Sequence, residues 1–145
     1  MQPLFLPDQI DAHRLLVLIE HGRATANYKD KQKVFKQGED ARFVFFVQDG
    51  RVELTSVQDD LKTSLGTAQQ GQFFGEACLH DVPIRIATAT AIGDCRITSV
   101  TKEAMLSTIL REPKFARMFI DYLSDHNSWT QKHLLEHLIE AAEAA

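Results

Sequence analysis

Residues 73–91 read FFGEACLHDVPIRIATATA, a segment that is mostly apolar or small but carries one glutamate, Glu76, and one arginine, Arg85. Segments of this composition are usually buried, and a buried charge is costly unless it is paired or bound to a ligand. Gly75 precedes the glutamate, and Pro83 ends the helix-compatible residues EACLHD. The segment raises the question of what Glu76 and Arg85 hold.

The residue types around Glu76 and Arg85 predict a pocket for a ribose phosphate. A short helix that begins at Gly75 and Glu76 would direct free backbone N–H groups outward, and such helix ends attract phosphate. The Arg85 guanidinium adds a fork of donors that matches two phosphate oxygens. Glu76 can only accept hydrogen bonds, which suits a sugar hydroxyl. The simpler alternative is a salt bridge between Glu76 and Arg85 that fastens the short helix to the sheet.

The sequence around this segment indicates one mainly β domain with flanking helices. The chain of 145 residues suits a single compact domain, residues 1–145. Short β-rich runs separated by turn residues predict an antiparallel β-roll or jelly roll. The predicted parts are an N-terminal helical segment (1–26), the β-roll (27–101) with the segment 73–91 inside it, and two C-terminal helices (102–145). Turns are predicted at QGED (37–40), QDG (48–50), QDD (58–60) and GD (93–94).

The helices are predicted from apolar periodicity and from capping residues. Residues 8–21 carry an apolar stripe, and Gly22 can end that helix. The stripe consists of Ile10, Leu15, Leu18 and Ile19. Thr101 is the predicted N-cap of the first C-terminal helix. Pro113 is predicted to begin the second, long helix, which nothing interrupts until about residue 142.

Composition argues against several classes of function. The net charge of −4 is unlike that of a domain built to bind DNA or RNA. No leader peptide and no apolar run of membrane-spanning length is predicted, so we expect a cytoplasmic protein with no membrane contact. Cys78 and Cys95 form no CxxC motif and are expected to be buried thiols.

Catalysis and metal binding are not predicted. His133 and His137 have the i, i+4 spacing of a metal pair but no third ligand near them. A metal-dependent jelly-roll enzyme needs clustered histidines on strands, and His80 is the one histidine between Gly22 and residue 125. No nucleophile–base pairing is suggested, so we expect neither a catalytic residue, nor a metal, nor a cofactor.

Residues 73–91 resemble the phosphate-binding cassette of the cyclic-nucleotide-binding domain, in which an FGE motif and a short helix precede an arginine and small residues. The upstream residues VFKQGEDARFVFFVQDGRVEL (34–54) resemble the early strands of that family. The resemblance extends from about residue 33 to the end of the chain. It is greatest to the branch of the bacterial cyclic-AMP receptor protein and its CRP/FNR-like relatives.

The resemblance implies a cyclic nucleotide as ligand and gives individual residues a role. Glu76 would accept the ribose 2′-hydroxyl, and Arg85 would pair with the cyclic phosphate. The remaining ligand-binding residues that it implies are Phe74, Gly75, Ala77, Cys78, Ile86 and Ala87, with Trp129 and Thr130 of the long helix against the base. Family members that prefer cyclic GMP have a hydroxyl residue after the arginine, so Ile86 favours cyclic AMP over cyclic GMP.

The resemblance leaves the output of the protein open. A regulatory module would signal by repositioning its C-terminal helices. A transcription regulator of this family carries a helix-turn-helix after the long helix, and residues 1–145 have no room for one, so we expect no direct DNA binding. A degenerate domain that acts in protein interaction is a further alternative. The apolar positions Leu134, Leu135, Leu138 and Ile139 predict either a homodimer seam or packing on the chain's own roll; a protein effector is the remaining type of partner.

Overall fold

The computed structural model describes residues 12–79 and 84–125. Its elements are α1 (Ala12–Val17), β1 (Arg23–Tyr28), β2 (Lys33–Phe35), β3 (Phe43–Gln58), β4 (Leu61–Ala68), β5 (Phe73–Phe74), a 3₁₀ turn (Glu76–Leu79), β6 (Thr88–Thr101), α2 (Lys102–Arg111) and α3 (Pro113–Asp125). The predicted order of a helix, a β-roll and C-terminal helices is confirmed. Among the described helices, none has the length and hydropathy needed to cross a membrane.

The strands form one antiparallel sheet, as the alternation of short β runs and turns predicts. Its order is β1-β6-β3-β4, while β2 also pairs with β6 and β5 also pairs with β3. In the first part of β6, Ala89 and Ala91 are buried and Thr88 and Thr90 are half-buried. Small residues therefore lie on the inner face of this part of the strand.

The turns predicted at residues 48–50 and 93–94 are wrong, because β3 and β6 run straight through them. Gly50 has a φ of +95°, and the β3–β6 register shifts on both sides of Asp49. A β-carbon at Gly50 would lie 2.7 Å from Cys95 Sγ. The glycine thus makes a bulge in a paired strand, where the neighbouring strand prevents the chain from reversing.

The N-terminal helix ends earlier than predicted, and a strand begins within the segment that was predicted as helical. Helix α1 ends at Val17, well before Gly22, and Leu18 is 41% exposed. Strand β1 begins at Arg23, inside the segment predicted as helical, and pairs along its whole length with β6. Because the side chains of β1 are exposed or half-buried, the sequence carries no burial pattern that would reveal the strand.

The apolar core of the described residues contains two clusters that meet at the start of β3. The helical cluster joins α1, α2 and α3 to Val44 and Phe46, and the roll cluster contains Phe45 and Val47. Successive side chains of a strand point to opposite faces, so residues 44–47 form a wall with an apolar layer on each side. Thr101 caps α2 as predicted: its side chain accepts a hydrogen bond from Ala104 N.

Candidate functional site

The site begins where β5 ends and the chain turns at Gly75 into the 3₁₀ turn. Gly75 has a φ of +76°, a conformation that favours glycine. The short helix predicted to begin at Glu76 is present as one 3₁₀ turn over Glu76–Leu79, and residues 80–83 lie outside the described residues. A β-carbon at Gly75 would lie 2.9 Å from Arg85 Nη1. Glycine therefore allows the guanidinium to lie directly against the backbone of the turn.

The Arg85 side chain is buried and donates to two backbone carbonyls. Its Nη1 lies 2.9 Å from Gly75 O, and its Nη2 lies 2.6 Å from Phe43 O. The guanidinium carbon is 4.0 Å from the ring centroid of Phe35 and 5.4 Å from that of Phe45. Burial lowers the pKa of Arg85, but a guanidinium remains charged in proteins. The site thus holds a permanent cation against two neighbouring aromatic rings.

The turn between β2 and β3 fixes the backbone on which Arg85 stands. Arg85 N donates to Glu39 O at 2.7 Å, and Gly38 N donates to Arg85 O at 2.8 Å. The same turn is tied down by Gln37, whose backbone N donates to Thr88 Oγ1 at 2.9 Å. Arg85 is therefore held by a strand-like pair of hydrogen bonds, and its side chain starts from a defined place.

Glu76 is a buried carboxyl group at the start of the 3₁₀ turn. It is 9% exposed, and its Oε2 has no hydrogen-bond partner among the described residues. Burial raises the pKa of Glu76 to about 7; the smaller influences of a backbone hydrogen bond and of the Arg85 charge act in the opposite direction. Near neutral pH this group can therefore either carry a proton or accept a hydrogen bond as a carboxylate.

Glu76 and Arg85 do not form the salt bridge that was the simpler alternative. Within the described part of the chain, the one ion pair shorter than 4.0 Å joins Arg42 to Asp40 on the surface. Arg85 Nε, like Glu76 Oε2, is buried without a hydrogen-bond partner among the described residues. Two buried ionisable side chains thus lie beside the 3₁₀ turn, form no ion pair with each other, and each keep an unused hydrogen-bonding atom.

The structure brings most of the other predicted site residues to the same turn. Phe74 is buried and stacks on Phe45 with 5.3 Å between the ring centroids. Cys78 is buried, its Sγ lies 3.5 Å from Phe43 O, and burial raises the pKa of its thiol. The burial predicted for both cysteines is confirmed. Ala77 belongs to the 3₁₀ turn, Ala87 is buried, and Ile86 is 49% exposed. Trp129 and Thr130 lie outside the described residues.

Sequence reasoning missed the residues that surround the guanidinium. The rings of Phe35 and Phe45 lie against it, and the backbone of Phe43 supplies an acceptor. A main-chain oxygen leaves no trace in the sequence. The alternation of aromatic residues in FVFFV predicts a strand but does not reveal which face meets the arginine.

The chain is similar to proteins of known family. The family model described as the cyclic nucleotide-binding domain matches residues 25–112. The cAMP-dependent protein kinase type II regulatory subunit of Drosophila melanogaster is 31% identical over 67 residues, which make up 46% of this chain and 18% of that protein. The chain covers only 18% and 20% of the length of the first two curated relatives it matches.

Two solved structures are similar to this fold. The c-di-GMP-responsive global regulator CLP of Xanthomonas campestris has a TM-score of 0.70 at 19% identity, over 90% of this chain and 63% of that one. The catabolite activator protein of Thermus thermophilus has a TM-score of 0.66 at 23% identity, over 86% of this chain and 56% of that one. The FGE turn, the buried arginine and the family match over more than half of the residues lead to one conclusion: the chain belongs to the cyclic nucleotide-binding domain family.

Proposed function

We propose that this chain is a non-catalytic regulatory module that binds a cyclic nucleotide in the pocket of Glu76 and Arg85. The observation that carries the proposal is the burial of both side chains, each with an unpartnered polar atom and with no ion pair between them. Native proteins rarely leave buried charged groups incompletely bonded, so such groups indicate a ligand. The family match supplies the class of ligand.

Each of the two side chains is suited to one part of the nucleotide. Arg85 carries five N–H donors, of which two are engaged with Gly75 O and Phe43 O. Its remaining donors and its charge suit the cyclic phosphate. Glu76, in its ionised form, suits the ribose 2′-hydroxyl. Burying a charge without a charged partner is costly, so a purely structural role would favour a neutral side chain at position 85. The permanent charge of Arg85 is therefore a stronger indication of a ligand than the carboxyl group of Glu76.

Cyclic AMP is the nucleotide that we favour. Ile86 has no hydroxyl with which to contact a guanine. The Drosophila relative is named as a cAMP-dependent protein, in keeping with this choice. The fold by itself does not select the ligand, because CLP, with a similar fold, is named as responsive to c-di-GMP.

The 3₁₀ turn offers a route from the pocket to the C-terminal helices. Cys78 and Leu79 of the turn pack in the helical cluster with Met105 and Ile109 of α2. A ligand that moves the turn would change this packing, and differential affinity for the two arrangements would reposition α2 and α3. The matched residues make up about a fifth of each of the two curated relatives, and in a longer regulator such a module would be the sensor part.

One observation favours a second candidate, a domain that has kept the fold for protein interaction and binds no nucleotide. Both hydrogen bonds of the Arg85 guanidinium go to the chain's own carbonyls. In this second function, Arg85 would be a structural staple. The two candidates differ in whether the guanidinium also takes a phosphate.

Calorimetric titration with cyclic AMP, cyclic GMP and 5′-AMP separates these functions. We expect saturable binding of cyclic AMP that is weaker for the other two nucleotides. Arg85→Ala should lower the affinity by about 2–5 kcal/mol, and Glu76→Ala by about 1.5–3 kcal/mol. Arg96→Ala removes an exposed arginine from β6 and should leave the affinity unchanged. Nucleotide binding that survives both site substitutions would move the site elsewhere, and no binding at millimolar concentrations would favour the second candidate.

A further inference from the structure

The carbonyl of Phe43 faces away from β6, toward the side of the sheet on which β5 lies. In an antiparallel ladder, successive residues of a strand turn alternately toward its two neighbours. Arg42 O accepts Lys102 N at the end of β6, whereas Val47 is bonded on the other side, to Gln72 O and Gly71 N. Phe43 is an even number of residues from Val47, and no register shift intervenes. Phe43 O therefore belongs to the ladder that β3 shares with β5.

Beyond the end of β5, side-chain donors take the place of backbone donors in this ladder. Strand β5 has two residues, and its pairing with β3 stops at Phe45 and Phe74. Phe43 O receives Arg85 Nη2 at 2.6 Å and Cys78 Sγ at 3.5 Å. A guanidinium is much the stronger donor of the two, and a thiol is a weak one. The charge of Arg85 thus takes the place of a strand donor.

Arg85 bonds to the start of β3, and the same part of β3 also bonds to the start of α2. Phe43 lies opposite Thr101, the N-cap of α2, in the β3–β6 register. Its neighbour Arg42 accepts the backbone N–H of Lys102 at 2.9 Å. An open depression of about 450 Å³ lies on the surface at this junction. The depression is lined by Asp40, Ala41, Arg42, Lys102 and Glu103.

We propose that Arg85 is a two-position latch, and this inference rests on the proposed function. Without nucleotide, its guanidinium holds Phe43 O and thereby stabilises the junction between β3 and α2. A cyclic phosphate binds the remaining donors of the guanidinium and also competes for the Nη2 group that holds Phe43 O. Its full negative charge outweighs the carbonyl dipole, so it draws the guanidinium away. Phe43 O then keeps only the weak thiol donor of Cys78, and the start of α2 loosens. The arginine that binds the ligand therefore also releases the helix.

Hydrogen exchange measured by NMR at single amides tests the latch. The reporting amide is that of Lys102, which bonds to Arg42 O; the reference amide is that of Ala91, which bonds to Gln32 O in the roll. Saturating cyclic AMP should accelerate exchange at Lys102 about fivefold, the factor that corresponds to one hydrogen bond of about 1 kcal/mol. Exchange at Ala91 should not accelerate.

A variant without ligand provides the decisive comparison. Arg85→Met keeps an unbranched side chain against Phe35 but removes every donor, so it should reproduce the acceleration at Lys102 in the absence of nucleotide. Arg85→Lys, which preserves the charge but cannot bridge two carbonyls, should show a smaller acceleration and serves if Arg85→Met does not fold. Arg96→Ala, the matched loss of an exposed arginine, should leave Lys102 as in the wild type.

The outcomes separate the latch from the proposed function. If cyclic AMP binds but Lys102 exchanges no faster, or if the Arg85 variants leave Lys102 unchanged, the latch is overturned and the binding function stands. Equal acceleration at Lys102 and Ala91 means general destabilisation and also overturns the latch. If no nucleotide binds, the proposed function fails and ligand-driven release with it. Acceleration confined to Lys102 in Arg85→Met would then still support the hold of Arg85 on the junction.

Discussion

The guanidinium carbon of Arg85 lies 4.0 Å from the centroid of the Phe35 ring, although the two residues are fifty positions apart in the sequence. An aromatic face attracts a cation through its quadrupole, and the attraction grows when water is excluded. Both side chains are buried. The Phe35 ring of the roll cluster therefore stabilises a buried charge that would otherwise be costly.

A double-mutant cycle should measure this attraction. We expect Phe35→Leu and Arg85→Gln to couple by about 0.5–2 kcal/mol in the free energy of unfolding from urea titrations. Phe74→Leu with Arg85→Gln is the control, because Phe74 stacks on Phe45 and makes no cation–π contact with Arg85 among the described residues. Equal coupling in the two cycles would assign the Phe35 contribution to packing alone.

Gly75→Ala should weaken both the fold and the binding of nucleotide. The new β-carbon would lie 2.9 Å from Arg85 Nη1 and 3.3 Å from ring atoms of Phe35 and Phe45, at a φ of +76°. The backbone conformation costs about 1–2 kcal/mol, and the crowding adds about 1–3 kcal/mol. Gly71→Ala isolates the first effect, since Gly71 has a φ of +85° and nothing within 4 Å of the added atom. Equal losses of stability in the two variants, measured by urea denaturation, would contradict the proposed crowding.

The stability of the protein should depend on pH through Glu76. Its folded pKa of about 7 lies above its ordinary value of 4.5. Between these values the folded state binds more protons than the unfolded state, so the free energy of unfolding falls as pH rises. The burial of the charge then costs about 3 kcal/mol above pH 7. Glu76→Gln should therefore raise the Tm relative to wild type at pH 8 and much less at pH 5.

Calorimetry at both pH values checks this expectation, with Glu112→Gln as the control. Glu112 is exposed after α2, so a rise in Tm at pH 8 that is confined to Glu76→Gln would assign the effect to the buried carboxyl group. A Glu76→Gln variant that is less stable than wild type at pH 8 would show that the carboxylate makes favourable contacts that exceed its desolvation.

Thr101→Ala should destabilise the protein by about 1 kcal/mol, because it removes the side-chain acceptor that caps α2. Thr101→Ser keeps the hydroxyl and should be close to wild type. The midpoint of urea unfolding should fall for Thr101→Ala while the slope stays constant. Similar midpoints for the two variants would place the role of Thr101 in its methyl group rather than in the cap.

The parts of the fold and site that could be predicted from sequence are those written in local patterns. The start of a helical turn at Glu76, the cap at Thr101 and the start of α3 at Pro113 each follow from residues within a few positions of one another. The burial of Arg85 followed from the apolar residues around it. These features need no knowledge of which strand pairs with which.

What could not be predicted depends on pairing across long separations. The partner of Arg85 is the carbonyl of Phe43, 42 positions away, and any residue at position 43 would supply the same oxygen. Gly50 looks like a turn residue, and only the pairing of its strand with β6 shows that it belongs to a bulge. Strand β1 has no buried stripe because its stability comes from backbone bonds to β6. Local propensity says nothing about such tertiary partners.

The position of β6 in the sheet has a consequence for how the chain folds. Strands β1, β2 and β3 all pair with β6, which lies after them in the sequence. During synthesis the edges of these strands that pair with β6 stay unpaired until Thr88–Thr101 has emerged from the ribosome, although β3 can already pair with β4. Because loop closure over such distances precedes any gain from pairing, folding should be slow and rate-limited by the docking of this one late strand.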